Sequence, residues 1–213
     1  MSTDSPAHAS DLDRLLVPPT EASQRAIEVA QQWCTPAVFN HSLRSWVWAK
    51  ALAETLGLEI DEELLFVASV LHDVGISPAF DSHTLAFEDA GAAVAWVFSA
   101  GAGWSAERRT RLGEVIQRHM WVSVDVDVDP EGFLLEAATS LDVAHADAHL
   151  WDVRLIEEVV GRVPRLSFAE EFAAAIAEQA ARKPSTAAAR LDASRRIVTG
   201  EGKWEMSSPS NER

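Results

Sequence analysis

Apolar residues recur every three or four positions along most of this chain, which is the periodicity of an amphipathic helix. The pattern predicts a helix over 21–33, with Thr20 as its N-cap. A second helix is predicted over 36–56, since Gly57 suits the position just after a helix. A third, over 61–71, is nearly all apolar after its acidic first turn, which is typical of a helix inside a bundle.

The same helical spacing continues after a break at Pro78. It predicts further helices over 87–100, 105–121, 130–150, 152–161 and 168–181, and a short last one ending near Val198. Only 122–128 alternates strictly, which is typical of a strand, but the chain offers it no partner strand, so we predict an extended loop. The predicted fold class is therefore all-α, a compact bundle of about seven to nine helices with a C-terminal helical extension.

The two ends of the chain differ from its middle. We expect residues 1–19 to be a flexible or loosely docked lead-in, 20–199 a single domain, and 200–213 a polar tail. The start lacks the basic and apolar stretches of a signal peptide, and no apolar run approaches the roughly 18 residues of a membrane span. The single cysteine, Cys34, excludes an internal disulfide and fits a reducing compartment. We therefore expect a cytoplasmic protein.

The charge balance narrows the possible partners. The chain of 213 residues has 18 Lys and Arg against 33 Asp and Glu, a formal net charge of -15. So acidic a protein is a poor partner for nucleic acids or anionic membranes. With 47% hydrophobic residues it is globular rather than disordered. The expected partner is a small-molecule substrate, and a homo-oligomer remains open.

Three places in the chain carry polar residues where apolar ones are expected. His72 and Asp73 interrupt the end of the apolar third helix, where burial is costly without a charge partner or a metal ion. His41 lies near the start of the preceding helix. If the two helices pack antiparallel, the start of the first lies beside the end of the second, and His41 can meet His72 and Asp73. Asp142 lies in mid-helix among small and apolar residues. Two imidazoles and two carboxylates suit Zn²⁺, Fe²⁺ or Mn²⁺. The alternative is a structural pair, with Asp73 capping a loop amide and His72 packed in the core.

This arrangement resembles the HD-domain superfamily, whose metal-binding residues follow the pattern H…HD…D. The resemblance covers about residues 36–150. Short segments are also similar to the cyanamide hydratase-like branch of that superfamily: 40–46, 71–75, 86–92, 116–119 and 141–143. The chain departs from the branch at Ala86, where an arginine is usual, and after Val143, where a glycine is expected.

The resemblance implies an all-α HD-domain bundle with one divalent metal ion, zinc first, and iron or manganese as alternatives. Its ligands would be His41, His72, Asp73 and Asp142. Asp73, His119 and Glu88 are the implied catalytic residues, although Glu88 also suits a helix start and His119 a helix end. Arg44 lies one turn after His41, where it could pair with an aspartate or hold an anionic substrate. Trp46 and Trp121 are candidates for an aromatic wall of the substrate pocket, whereas His83, His145 and His149 have no assigned role.

Three functions compete on these grounds. The first is a metal-dependent enzyme that activates water and hydrates a small molecule with a cyanamide- or nitrile-type group. The second is a metal-dependent phosphohydrolase acting on a small phosphate ester or nucleotide, which needs more positive charge or a second metal at the pocket. The third is a non-catalytic helical module that binds a partner.

Overall fold

The regular structure of the chain is entirely helical in the computed structural model, which describes residues 11–207. These residues form eleven α-helices: α1 (Asp11–Leu15), α2 (Glu21–Trp33), α3 (Pro36–Leu56), α4 (Glu62–Leu71), α5 (Phe87–Gly101), α6 (Ala106–Arg118), α7 (Pro130–Ala144), α8 (Val153–Arg162), α9 (Phe168–Arg182), α10 (Ala187–Ser194) and α11 (Arg196–Ser207). Short 3₁₀ turns follow α4 and α7, at Val74–Ile76 and Ala148–Leu150. The predicted all-α fold is confirmed, and the alternating segment 122–128 is a loop.

Polar caps set the starts of the central helices. The side chains of Thr20, Thr35 and Asp61 each accept a hydrogen bond from the backbone amide three residues later, at the starts of α2, α3 and α4. Such a bond satisfies one of the amides that a helix start leaves without a partner. At the other end of α3, Gly57 adopts the left-handed conformation with φ 66°. A residue with a side chain pays a steric penalty there, which explains the glycine.

The core is built around α4. Its residues from Leu64 to Leu71 are all buried, as the uninterrupted apolar run predicts. It packs against α2, α3, α5, α6 and α7. Large side chains such as Trp48 and Phe66 have no exposed surface. Burying a side chain of that size stabilises the fold by about 1.5–3 kcal/mol. This packing around α4 holds its end, with His72 and Asp73, in place.

Both ends of the chain are more structured than the sequence predicts. Within the region expected as a lead-in, α1 buries Leu12 and Leu15 against the core. At the other end, α11 continues past residue 199 and buries Trp204 where a polar tail was expected. Single large apolar residues spaced along a polar segment give too weak a periodicity to predict such docking. The remainder of both predicted segments, residues 1–10 and 208–213, lies outside the described residues.

Helix α7 ends earlier than predicted, at Ala144 rather than near residue 150. His145 takes the left-handed conformation with φ 49°, the position at which the family resemblance led us to expect a glycine. The chain then turns back, and α8–α11 return over the bundle, where α9 and α11 contact α3 and α7. The described part of the chain contains no helix with both the length and the apolar character needed to cross a bilayer.

Candidate metal centre

Three potential metal ligands converge at the junction of α3 and α4. His41 projects from α3, and His72 and Asp73 end α4. Nε2 of His41 lies 3.1 Å from Nε2 of His72. Oδ2 of Asp73 lies 3.4 Å from Nε2 of His41 and 3.2 Å from Nε2 of His72. All three side chains are buried, and their ligand atoms lie within 4.8 Å of one another.

The ring protons of the two histidines point away from this meeting point. Nδ1 of His72 lies 2.7 Å from the carbonyl oxygen of Ser69, to which it donates. Nδ1 of His41 lies 2.5 Å from Oδ2 of Asp142, to which it donates. In a neutral imidazole with its proton on Nδ1, the Nε2 atom carries a lone pair. Two lone pairs and a carboxylate therefore face one another across about 3 Å, an arrangement that requires a cation or a proton between them.

Asp73 shows the same need for a cation. Within the described part of the chain, neither of its buried carboxylate oxygens accepts a hydrogen bond. A buried carboxylate without a partner is expensive, whereas a metal ion satisfies it. The residues present therefore fit the divalent metal ion that an HD domain binds, and their nitrogen and oxygen atoms suit zinc, iron or manganese.

Two of the three potential ligands, Asp73 and His41, have the protonation state that a metal centre requires. Burial alone would raise the pKa of Asp73, but the neighbouring imidazoles of His72 and His41 lower it to about 2. Burial lowers the pKa of His41, despite the carboxylates of Asp142 and Asp73 beside it. Burial also opposes charge on His72, but there the adjacent Asp73 carboxylate outweighs it and raises the pKa. At neutral pH, Asp73 is thus ionised and His41 is neutral, as metal ligation requires.

Asp142, expected as the fourth ligand, lies next to this group but not in it. Its Oδ2 accepts from Nδ1 of His41 and, at 2.6 Å, from Nη2 of Arg44. Its Oδ1 accepts from Nε of Arg44 at 3.2 Å and from Nη1 of Arg165. Burial would raise the pKa of Asp142, but the Arg44 guanidinium and the His41 hydrogen bond hold it well below its usual range. Both carboxylate oxygens are therefore engaged by cationic or ring donors.

Two of the residues expected to bind substrate point elsewhere. Arg44 is fully buried, and besides Asp142 it binds the carbonyl oxygens of Val163 and Pro164, at 3.2 and 3.0 Å. It therefore pairs with an aspartate, one of the two roles considered for it, and is not among the residues that line the cavity. Trp46 donates its indole N–H to the carbonyl oxygen of Leu15 at 2.7 Å. It packs in the core on the far side of α3, because α1 docks there.

A cavity of about 170 Å³ opens beside the three potential ligands. His41, His72 and Asp73 line it together with residues from the loop after α6 and from α7, α9, α10 and α11. Those that bear on function are His119, Trp121, Thr139, Phe172, Arg190 and Arg196. Trp121 retains 55% of its surface exposed, as expected for a residue at the mouth of the cavity. Trp121 thus lies at the cavity, where it was expected as part of the pocket wall.

His119 is placed to exchange protons inside the cavity. Its Nδ1 donates to the carbonyl oxygen of Ile116, so the lone pair of Nε2 is free. That Nε2 lies 3.9 Å from Oδ1 of Asp73. Burial, reinforced by the charge of His72, lowers the pKa of His119 to about 3. The ring is therefore neutral at physiological pH and accepts a proton before it can give one.

Glu88, the other expected acid–base residue, is not among the residues that line the cavity. It is buried on α5, and one of its carboxylate oxygens has no hydrogen-bond partner among the described residues. Burial raises its pKa, with a further contribution from Asp89. The histidines without an assigned role also lie outside the cavity: His83 and His149 are exposed, and His145 packs edge-on against Trp204 with ring centroids 4.5 Å apart.

Several residues of the site were not identified from the sequence. Phe168 stacks on the His41 ring, with centroids 4.3 Å apart and an angle of 13° between the planes. Arg165 binds Asp142, and Arg190 and Arg196 lie at the cavity mouth. All four come from beyond residue 150, the limit of the resemblance. The sequence around Arg165 shows only a basic residue after Pro164 and before an apolar stretch. It does not indicate the partner of Arg165, because Asp142 lies 23 residues earlier in the sequence.

Comparisons with known proteins agree with this geometry. Residues 38–98 match the family model of the HD domain, a stretch that contains His41, His72 and Asp73. Two proteins of Saccharomyces cerevisiae, described as cyanamide hydratase DDI2 and cyanamide hydratase DDI3, are each 28% identical to this chain over 178 residues. The match covers 80% of this chain and 79% of each relative.

Proposed function

Because this chain belongs to the HD-domain superfamily, in its cyanamide hydratase-like branch, we propose that it hydrates a small molecule bearing a cyanamide- or nitrile-type group. The observation that carries the proposal is the buried, unpartnered Asp73 carboxylate facing Nε2 of both His41 and His72. These three residues would hold one divalent metal ion, for which zinc is our first choice, with iron and manganese as alternatives. When bound, such an ion lowers the pKa of a water molecule and makes it a nucleophile at neutral pH.

His119 supplies the proton transfer that hydration needs. When water adds across a carbon–nitrogen triple bond, its oxygen bonds to carbon, one π bond breaks and the nitrogen gains a proton. Neutral Nε2 of His119 faces the cavity and can take a proton from the attacking water. The resulting imidazolium can return that proton to the nitrogen. The first product is an isourea from a cyanamide, or an imidic acid from a nitrile, and transfer of its hydroxyl proton from oxygen to nitrogen gives the urea or the amide.

The size of the cavity favours a very small substrate. Pockets for drug-sized ligands have volumes of about 300–1,000 Å³, whereas this cavity has about 170 Å³. Its wall is largely apolar, with Trp121, Met120 and Phe172 beside the polar groups. A compact molecule of a few heavy atoms fits such a space, which supports a cyanamide- or nitrile-type substrate over a bulky one.

The test combines metal content with product formation. Protein purified without chelators is expected to bind one divalent metal ion per chain and to convert cyanamide to urea. Asp73→Asn keeps the volume of the side chain but removes its charge, so it is expected to lose both the metal and the turnover. Asp129→Asn is the matched control, because Asp129 is also buried and pairs with Arg111 and Arg118 but does not line the cavity. Wild-type protein that binds no metal after reconstitution would contradict the proposal and favour the non-catalytic module.

One observation favours phosphate-ester hydrolysis as a second candidate. Arg190 and Arg196 line the cavity mouth, and both are exposed. The charge of Arg190 acts on the carboxyl group of Glu88, and the charge of Arg196 acts on that of Glu136. Guanidinium groups bind phosphate oxygens well, so these two residues supply positive charge that Arg44, paired with Asp142, does not.

A double variant separates the two candidates. Replacing both Arg190 and Arg196 with glutamine is expected to leave the KM for neutral cyanamide within about twofold if hydration is the function. If the function is phosphate-ester hydrolysis, wild type turns over small phosphate esters and the double variant raises their KM by about tenfold or more per lost contact. Turnover of phosphate esters without turnover of cyanamide would replace the first candidate with the second.

A further inference from the structure

We propose that the substrate of this protein carries a carboxylate group, which Arg190 and Arg196 bind at the cavity mouth while the nitrile-type group reaches the buried end of the cavity. The inference rests on the hydration proposed above and narrows its substrate class to a small nitrile that is also a carboxylic acid. Both arginines follow residue 150, so they lie outside the part of the chain that resembles the family.

The cavity differs in character between its buried end and its mouth. The buried end contains the three potential metal ligands and His119. Apolar side chains such as Met120 and Phe172 also form part of the wall. Arg190 and Arg196 line the same cavity but are exposed, which places them at its mouth. A molecule with a reactive polar group at one end, a short apolar middle and an anionic group at the other end matches these surroundings.

The volume of the cavity allows a substrate somewhat larger than cyanamide. About 170 Å³ holds roughly five or six water-sized groups of about 30 Å³ each. Cyanamide has three non-hydrogen atoms and would fill only part of this space. Cyanoacetate, a nitrile and a carboxylate joined by one methylene group, has six. A short cyano acid therefore fits the cavity and can approach the metal ligands and the mouth together.

The fold brings the two arginines to one place from two different helices. Arg190 lies on α10, which is anchored by the buried Ala188. At the end of α10, Arg195 adopts the left-handed conformation with φ 60°, so the chain turns before α11 begins at Arg196. The next residue, Ile197, is buried and holds this start of α11 against the protein. The turn thus places both guanidinium groups on the same cavity.

The overall charge of the protein makes a local cationic site necessary for an anionic substrate. The formal net charge is -15, so the molecule as a whole repels anions. Salt at physiological concentration screens such repulsion beyond about 8 Å. Within that distance, hydrogen bonds from a guanidinium to a carboxylate are roughly twice as strong as those between neutral groups. Two arginines at the mouth can therefore select an anion that the rest of the surface disfavours.

The charges around the mouth favour a carboxylate over a phosphate group. The charge of Arg190 acts on Glu88 and that of Arg196 acts on Glu136, so each guanidinium is partly balanced within the protein. Asp73 adds a negative charge at the buried end. A carboxylate brings one negative charge, whereas a phosphate monoester brings about 1.5–2 at neutral pH. The smaller charge suits the partly balanced arginines better.

Two substrates of nearly equal size test the inference in the metal-loaded wild-type protein. Cyanoacetate and cyanoacetamide differ in one group, because an uncharged amide replaces the carboxylate. Water adds to either nitrile with its oxygen on carbon and both hydrogens finally on nitrogen, and the new amide is measured by NMR. We expect kcat/KM for cyanoacetate to exceed that for cyanoacetamide by about tenfold or more. Added salt is expected to reduce this preference, since it screens the charges.

Variants show whether the two arginines cause the preference. Replacing both Arg190 and Arg196 with glutamine is expected to raise the KM for cyanoacetate by about tenfold or more, with a smaller change in kcat. Replacing Arg154 and Arg162 with glutamine is the matched control. It changes the net charge equally, at two exposed residues of α8 that do not line the cavity. The control is expected to keep the wild-type preference, and an equal loss in both variants would overturn the inference.

Binding without turnover gives a second measurement. Cyanoacetate titrated into metal-free protein is expected to bind the Arg190 and Arg196 double variant about tenfold more weakly than wild type. Equal affinities would overturn the inference, as would a wild-type protein that does not prefer cyanoacetate to cyanoacetamide. In either case, turnover of cyanamide would leave the proposed function standing. A metal-loaded wild type that hydrates none of the three compounds would overturn the proposed function itself.

Discussion

Nε2 of His41 lies 3.1 Å from Nε2 of His72, although both rings direct their Nδ1 protons to other acceptors. Two unprotonated ring nitrogens at this distance repel each other unless a positive charge lies between them. A proton can supply that charge in the metal-free protein, since the adjacent Asp73 carboxylate raises the pKa of His72 against the opposing effect of burial. A metal ion must displace this proton in order to bind.

Metal binding is therefore expected to release a proton in a pH-dependent way. Because the pKa of His72 is raised, the metal-free site keeps its proton at pH values below that pKa and loses it above. The apparent metal affinity should thus fall as pH falls through the pKa of His72. Titration calorimetry in buffers of different ionisation enthalpy, at about pH 6 and about pH 9, measures the protons released. Equal release at both pH values would contradict this expectation.

Glu88→Gln is expected to stabilise the protein at neutral pH and to retain turnover. Burial raises the folded-state pKa of Glu88, so this carboxyl group favours folding below its unfolded-state pKa, and that contribution is lost as pH rises through the folded-state pKa. Glutamine avoids the buried charge at high pH. Its advantage in free energy of unfolding should be present near pH 7.5 and absent below about pH 4.

Denaturant unfolding at the two pH values measures the effect of Glu88→Gln. A stability gain of the same size at both would exclude burial of the charge as its cause. The same variant tests catalysis, since Glu88 does not line the cavity. Loss of turnover with a normally folded and metal-loaded protein would place Glu88 in the reaction after all.

Gly75→Ala is expected to damage both stability and metal binding. A Cβ at Gly75 would lie 2.1 Å from the carbonyl oxygen of Phe87 on α5, so the turn after Asp73 would have to move. Overpacking of this kind typically costs about 1–3 kcal/mol. Gly101→Ala is the control, because its Cβ would meet nothing within 4 Å and a helical alanine is favoured over glycine. Thermal unfolding and chelator competition should show a loss for Gly75→Ala alone.

Trp121→Ala is expected to affect substrate binding and little else. The side chain lines the cavity and is 55% exposed, so its removal should change the free energy of unfolding by no more than about 0.5 kcal/mol. Metal content should stay at one ion per chain. Loss of the aromatic wall should raise KM several-fold with a smaller change in kcat. An unchanged KM would remove Trp121 from the substrate site.

The sequence alone determined the class of fold and identified three side chains that meet at the candidate metal centre. Helical periodicity and caps such as Thr20 and Asp61 are local properties, since they depend on residues within a few positions. His72 and Asp73 could be identified because polar residues at the end of an apolar helix are costly without a partner. The structure brings these two residues together with His41 as that reasoning expects.

Only the tertiary structure decided what the remaining residues contact. Arg44 could pair with Asp73 or Asp142 by sequence, and packing of α3 against α7 selected Asp142. Trp46 was expected at the pocket but faces the core because α1 docks beside it. Arg165 reaches Asp142 from a loop 23 residues later, through the return of the C-terminal helices over the bundle. Such contacts depend on how helices pack and not on spacing along one helix, so periodicity does not reveal them.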